Sequence, residues 1–511
     1  MKPHLNFSNK YLWLVITGLT GCFILCYNLT SSGLWYDECV EYYFSKIAFG
    51  STPGFPEFTT MYQRICFTAQ PPLYNLLMWV WLHISDSELW FRLAGVCTAM
   101  FGSFGIFFYF QKKNLFLSVI LTLLYISAFP TRYFALECGE YNLLAANVIW
   151  LFVFFLSYLE DPNPLFLTGF LIFSILSIYS QYGASFLVFG FGLVLLYYIA
   201  RYKKEDLKRF LFLGIGSVVI FILPLIYFFL IPQMNNQGSA PADHSLNLSV
   251  SLIRDYVLSL WATFSYFFLR DLPTLCKLLM ILTALFLMIF FFIANKKSSL
   301  SFMKYVGLGC FLSYTLYYFA VKTNFYGNVI VGGSFGNHWA LSMGVMMLFF
   351  ALCLLFLLWK KTPFLCYILS FLLLLSQIYS LFTVTWQKDN IREVIQEYRP
   401  TLTSEPLYLT YTEIIPTSYY TRKDSLEFTG LGKWTYHCEN LTEEEITNHL
   451  KTELANSDSF YLIAGSEDGP SSITDALCNM GYTVEKIVSP ILSSNNLSDM
   501  PMETYLFYVH Y

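Results

Sequence analysis

Charge is scarce in this chain. Only 13% of its 511 residues are Asp, Glu, Lys or Arg, about half the share found in soluble proteins. The net charge of −4 gives no basic excess, so the footprint of a nucleic-acid binder is missing. No CxxC pair and no HExxH motif occurs, and the twelve cysteines show no metal-ligand spacing. Cys22 and Cys26 lie in an apolar stretch and read as small buried hydrophobes. No glycine-rich turn joins a strand to a helix, which argues against a nucleotide site. Repeats and long polar tracts are also missing, which excludes solenoids and disorder. Apolar side chains fill the space instead: 56% of residues are hydrophobic and 20% aromatic, with 51 Phe and 38 Tyr.

The few charges are unevenly placed. Residues 387–511 hold 19 of the 34 acidic groups and 8 of the 30 basic ones. The first 386 residues are left with too few charges to solvate a surface of that size. The sequence therefore predicts a polytopic α-helical membrane domain over 1–386 and a small soluble α/β domain over 387–511. A span needs about 20 apolar residues. Eleven stretches qualify as candidates, at roughly 11–29, 88–110, 114–130, 142–159, 164–180, 184–200, 210–231, 273–294, 304–321, 339–358 and 363–386. The first has no small-residue cleavage site after it and reads as a retained anchor.

Orientation follows from Lys and Arg in the loops. With the N-terminus inside, fourteen lie in inner segments and six in outer ones. Eleven spans then put the tail outside, which predicts a multi-pass inner-membrane protein with a cytoplasmic N-terminus and an extracytoplasmic C-terminal domain. Most acids of the membrane part, Asp37, Glu38, Glu137 and Glu140 among them, fall outside. Function concentrates in long loops, and the longest external ones are 30–87, 232–272 and 322–338. The first carries two amphipathic pieces too short to span. Val40, Tyr43, Phe44, Ile47 and Ala48 form one; Leu73, Leu76, Leu77 and Val80 form the other. Both suit interfacial helices. Ser85 to Glu88 reads as a capping box.

In the tail, helices are predicted over Asp389–Tyr398, Thr442–Ala455 and Ser472–Met480. Strands are predicted at Leu407–Thr410, Phe460–Ala464, Thr483–Val488 and Thr504–Tyr511. Cys438 and Cys478 are its only cysteines, and an extracytoplasmic tail allows them to pair.

Several groups could carry chemistry. Asp37 and Glu38 stand just outside the first span, either as helix-capping acids or as a general base at the membrane surface. Glu137 and Glu140, at i and i+3 near the membrane boundary, would share a helical face and meet either water or a site. Gln70-Pro71-Pro72 forms a turn whose prolines pre-set φ. Lys322, His338, Arg254 and Arg270 supply outside cations.

The order Trp35-Tyr36-Asp37-Glu38, Gln70-Pro71-Pro72-Leu73-Tyr74, then Glu88 and Arg92-Leu93 resembles polyprenyl-phosphate-sugar-dependent transferases of the GT-C fold. The most similar group is glycosyltransferase family 39, with bacterial relatives of protein O-mannosyltransferase and of the lipid A aminoarabinose transferase. The resemblance implies an external site, a lipid-phosphate sugar donor, and Asp37 as the catalytic aspartate with Glu38 beside it. Tyr36, Gln70, Arg92, Arg132, Tyr141, Lys322 and His338 are then candidate substrate-binding residues, with no metal ligand assigned. The chain also departs from the pattern. In E-x-R-x-Y, Glu137 and Tyr141 fit but Gly139 replaces Arg. Gln181 stands where relatives often have His, and Asn337-His338 where many have Arg-Tyr.

The chemistry agrees with this reading. A polyprenyl phosphate is a good leaving group, so the main requirement is a base for the acceptor hydroxyl and donors for the departing phosphate. The expected partners are a polyprenyl-phosphate sugar, an acceptor lipid, glycan or protein, and the bilayer. No cofactor is assigned, and a divalent cation is left open. A lipid-linked-glycan flippase would favour ionisable groups at mid-span, and a membrane scaffold would not group acids in outer loops.

Overall fold

The computed structural model describes residues 7–46, 60–68, 70–236, 251–295, 301–322, 338–384, 389–423, 426–454, 457–488 and 503–511. It forms two compact units. One comprises Met1–Tyr27, Tyr62–Ser85 and Trp90–Thr383; the other comprises Asn28–Met61, Asp86–Leu89 and Val384–Tyr511. The second unit thus takes in parts of the long segment between the first two predicted spans as well as the tail.

Helices stand at all eleven predicted spans. Among the described residues, seven are long and apolar enough to cross a membrane, and a bent pair makes an eighth. Lys10–Cys26 and Pro164–Ser180 are shorter apolar helices. The bent pair, Leu115–Ser127 and Phe129–Ala135, turns by 56°. Ala128 between them is extended, and Pro130 sits in the first turn of the second helix, where its missing N–H costs little. Pro224 also shapes the ladder. It lies in Leu223–Leu225 between π-helical turns at Val218–Ile222 and Ile226–Leu230, a widening that accommodates a residue with no donor. Helices Tyr141–Glu160 and His338–Lys361 are largely buried, and Phe152 stacks on Phe349 between them at 4.8 Å. Lys204–Asn236 instead exposes Phe212, Ile220 and Tyr227, as a lipid-facing helix must.

In the second unit, five strands form a sheet in the order β2-β1-β3-β5-β4. They are β1 (Leu407–Leu409), β2 (Thr429–Gly430), β3 (Ser459–Gly465), β4 (Thr483–Val488) and β5 (Thr504–His510). β1 pairs parallel with β2 and β3, whereas β5 runs antiparallel to β3 and β4. Period-two alternation sorts the core. Phe460, Leu462 and Ala464 face helices Glu443–Glu453 and Pro470–Asn479, while Tyr461 and Ile463 face Ile391–Leu402. Thr442 and Glu445 close the predicted capping box. The helix Tyr411–Thr421, with Pro416 inside, was not legible, because proline usually ends such a pattern. Cys438 is buried, Cys478 is exposed, and both are free thiols.

Three carboxylates are buried at one end of this sheet: Asp389, Glu413 and Asp468. The Thr504 hydroxyl contacts Asp389 Oδ1 at 2.9 Å and Glu413 Oε1 at 3.1 Å. It has one hydrogen to give, so one of the two acids must carry a proton and donate in return. Burial pushes Asp389 up to about 7. Burial first, then Asp389 and Asp468, raise Glu413 well above the carboxylate range. Unfolded carboxyls titrate near 4, so the folded unit binds more protons between about 4 and 7. This contribution to stability is present on the acid side and lost as pH rises through about 7. The thermal midpoint of the unit, read by limited proteolysis of the tail, should fall by several degrees between pH 5.5 and 8. Glu413→Gln should flatten that slope; an unchanged slope would refute the shared proton.

Candidate active site

In the second unit, the helix Tyr36–Ser45 starts four residues before the predicted one; residues 47–59, including Ile47 and Ala48, lie outside the described set. Glu38 Oε2 accepts from the Trp35 backbone N–H at 3.2 Å and is 2% exposed. Glu38 therefore closes the helix start, the role that the spacing offered equally to Asp37. Asp37 is exposed in the same first turn. The Tyr36 ring lies 6.0 Å from that of Tyr411. Burial, Tyr411, Asp37 and Asp468 all raise the Tyr36 phenol above its ordinary value, so it stays a hydrogen-bond donor beside Asp37.

The chain leading into this helix is held from the tail. The Arg392 guanidinium donates to the carbonyls of Thr30 at 3.0 Å, Ser31 at 3.3 Å and Ser32 at 3.4 Å, and to Glu88 Oε1 at 3.1 Å. The Leu34 N–H donates to the Tyr420 hydroxyl, which itself donates to Glu88 Oε2 at 3.2 Å. Gly33 permits this approach: a Cβ there would come 3.0 Å from Arg392 Cβ and 3.1 Å from the Tyr420 oxygen. Nearby, Asp86 is paired with Lys46 at 3.1 Å. Burial raises its pKa, but Lys46, Arg422 and Lys423 outweigh that and hold it below the usual range. In the run Ser85 to Glu88, read as a capping box, the helix begins at Glu88 itself; Glu88 binds Arg392 and Tyr420, and Asp86 binds Lys46 and Arg422. Nothing in the sequence pattern singled out Arg392, Tyr420 or Arg422, because their partners are more than 300 residues away.

In the first unit, Glu137 and Glu140 do not share a helical face. They occupy the irregular turn between Phe129–Ala135 and Tyr141–Glu160, and both are buried, Glu140 completely. Of the two environments the spacing left open, free exposure to water is thus excluded. Two packed helix ends enclose the turn, and Gly139 N–H closes it on the Glu137 carbonyl at 3.2 Å. The Tyr141 ring covers Gly139, where a Cβ would meet it at 2.5 Å. The same ring packs on Phe134 at 4.6 Å and on His338 at 5.5 Å, joining two candidates far apart in sequence. Arg92 is buried and donates to the Leu136 carbonyl just before Glu137.

Arg132 is engaged by the protein itself. It is fully buried, donates to the Ser127 carbonyl at 2.7 Å, and pairs with the buried Asp271; Ser380 bridges the two. Lys322 pairs with Asp255 at 3.3 Å. The Gln70 carbonyl accepts from Gln233 at 2.7 Å, and Gln233 also accepts from Tyr182 at 2.9 Å. The Gln181 carboxamide is 1% exposed, and neither its oxygen nor its nitrogen has a hydrogen-bond partner among the described residues. Among the described residues no group of three or more His, Cys, Asp or Glu is arranged to hold a metal ion.

No protein-family model matches the chain, and no curated protein does. A crystal structure of ArnT from Cupriavidus metallidurans bound to undecaprenyl phosphate aligns over 98% of both chains, at 10% identity and a TM-score of 0.55. The chain has the fold of ArnT. The apo crystal structure of ArnT from the same organism also aligns over 98% of both chains, at 12% identity and a TM-score of 0.45. The ArnT fold is of the GT-C type. It accounts for the multi-pass helical unit, and the small sheet unit accompanies it. An identity this low carries fold and no residue assignments, so the roles of Asp37, Glu137 and Glu140 rest on their own geometry.

Proposed function

We propose that this protein is a membrane glycosyltransferase that moves a sugar from a polyprenyl-phosphate donor to an acceptor hydroxyl, with Asp37 as general base. The observation that supports it best is the division of labour in one helical turn: Glu38 closes the helix start, and Asp37 is left exposed with a protonated tyrosine beside it. In the reaction, the acceptor O–H proton passes to the Asp37 carboxylate as the oxygen bonds to the sugar's anomeric carbon. The anomeric C–O bond breaks, and its electron pair leaves on the polyprenyl phosphate. That leaving group is already an anion of low basicity, so protonation is dispensable. Bound undecaprenyl phosphate in the ArnT structure supports a donor of this class.

The test is turnover of radiolabelled undecaprenyl-phosphate sugars by purified protein in detergent, with no membrane gradient. Release of undecaprenyl phosphate with labelled acceptor is expected. Gradient-dependent movement of intact donor in vesicles, without turnover, would replace this reading by a flippase. Running the assay in EDTA decides whether a divalent cation takes part. Glu137→Gln and Glu140→Gln, made separately, show which of these acids the reaction uses.

We place the second unit outside the cell membrane on the fourteen-to-six distribution of Lys and Arg. Reporter fusions after residues 112, 204 and 297 should read as cytoplasmic, and one after 386 as external. A cytoplasmic reading at 386 would overturn the external site.

A further inference from the structure

We infer that Arg392 and Tyr420 are positioning residues for Asp37. This rests on the transferase reading and extends it to residues of the tail. The argument starts from the backbone. Residues 30–34 lead directly into the helix that carries Asp37, and they form no regular element of their own. Such a segment has its φ and ψ free unless its polar groups are taken up elsewhere. Here one guanidinium gathers three successive carbonyls, those of Thr30, Ser31 and Ser32. One phenol takes the Leu34 N–H.

The two donors are fixed in turn by one carboxylate, Glu88, which accepts from both. Arg392 is held a second time by Glu393 at 2.7 Å. Each member has at least two partners, so none can swing away alone. Arg suits the task because its planar fork reaches several acceptors at once, which a lysine ammonium at the same place would not do.

The helix is also held farther along its length. Tyr42 packs edge-on against Tyr419 at 4.8 Å, and the Arg422 guanidinium lies over the Tyr419 ring at 3.8 Å. Arg422 also donates to the Asp86 carbonyl at 2.9 Å. The tail thus fixes where the first turn begins and how the helix is rotated about its axis. Those two quantities set the direction of the Asp37 carboxylate. A displacement of about 1 Å at a reacting group can lower rates on the order of 100-fold.

The experiment uses the full-length protein with Arg392→Met, Arg392→Lys and Tyr420→Phe. Hydrogen exchange over 28–40 should accelerate at least about tenfold in Arg392→Met and Tyr420→Phe, while β3 and β5 keep their protection. Undecaprenyl phosphate, used as the probe, should bind as in the parent. kcat for whichever donor the parent turns over should fall at least about tenfold with KM for the donor unchanged. Arg392→Lys should recover only part of the loss. The decisive measurement is the cycle with Asp37→Asn. A positioning residue adds little to a protein that has already lost its base, whereas a general structural role multiplies the two losses.

Unchanged exchange over 28–40, or multiplicative losses, overturns the inference and leaves the transferase reading standing. A parent protein that turns over no donor removes the transferase reading, and the positioning role falls with it. The exchange result would then still report how tightly the tail holds the loop.

Discussion

Asp37→Asn is expected to lower sugar transfer by at least about 100-fold while leaving the protein folded. A positioned general base contributes roughly 10²–10⁴-fold, and asparagine cannot accept the acceptor's proton. The structural cost should be small, because the bond that closes the helix start belongs to Glu38. Asp37 contributes a first-turn charge, worth about 0.3–1 kcal/mol. Glu38→Ala should give the opposite pattern: the capping contact is lost, at about 1 kcal/mol, and the base is kept. Thermal midpoint and turnover measured on both variants separate the two roles. Near-parental turnover by folded Asp37→Asn would remove this residue from the chemistry.

The largest effect on stability is expected at Asp271. Its carboxylate pairs with fully buried Arg132 and accepts from Ser380. Asp271→Asn would leave a buried guanidinium without its counter-charge, a change that typically costs about 3–5 kcal/mol. The variant should express poorly or lose about that much stability in detergent. Replacing both partners, as Arg132→Met with Asp271→Leu, should recover most of the loss, because apolar side chains of similar volume remove two desolvation penalties together. If Asp271→Asn were as stable as the parent, the pair would contribute nothing to stability and Arg132 would be available for phosphate after all.

Much of this molecule was legible in the sequence, for reasons that differ by element. The spans were readable because a membrane helix carries its own signal: Glu88–Phe110 begins and ends where the hydropathy does. Four of the five described strands in the tail were readable, and β4 matches residue for residue; the two-residue β2 was missed because it is too short to carry a pattern. The site was readable only in part. Asp37 and Glu38 were visible as a pair, but the spacing could not say which one caps. Glu137 and Glu140 read as one helical face because i and i+3 suggests it; Gly139 and the Tyr141 ring impose a turn instead. Arg392 and Tyr420 carried no signal at all. Apart from Glu88 and Glu393, their partners are the carbonyls and one amide of residues 30–34, and backbone groups have no sequence pattern.

The Leu34–Tyr420 hydrogen bond joins residues 386 positions apart, and this sets an order of events in the cell. The ribosome makes residues 28–46 early and residues 389–423 only after the last membrane helix. At a synthesis rate of roughly 5–20 residues per second, the early segment waits on the order of 20–80 seconds for the groups that hold it. During that interval the helices of the first unit can form and pack, but the Asp37 turn has no anchor. The ordered turn therefore needs a chain that extends past residue 420, and a polypeptide cut short anywhere before it would insert into the membrane without completing the turn.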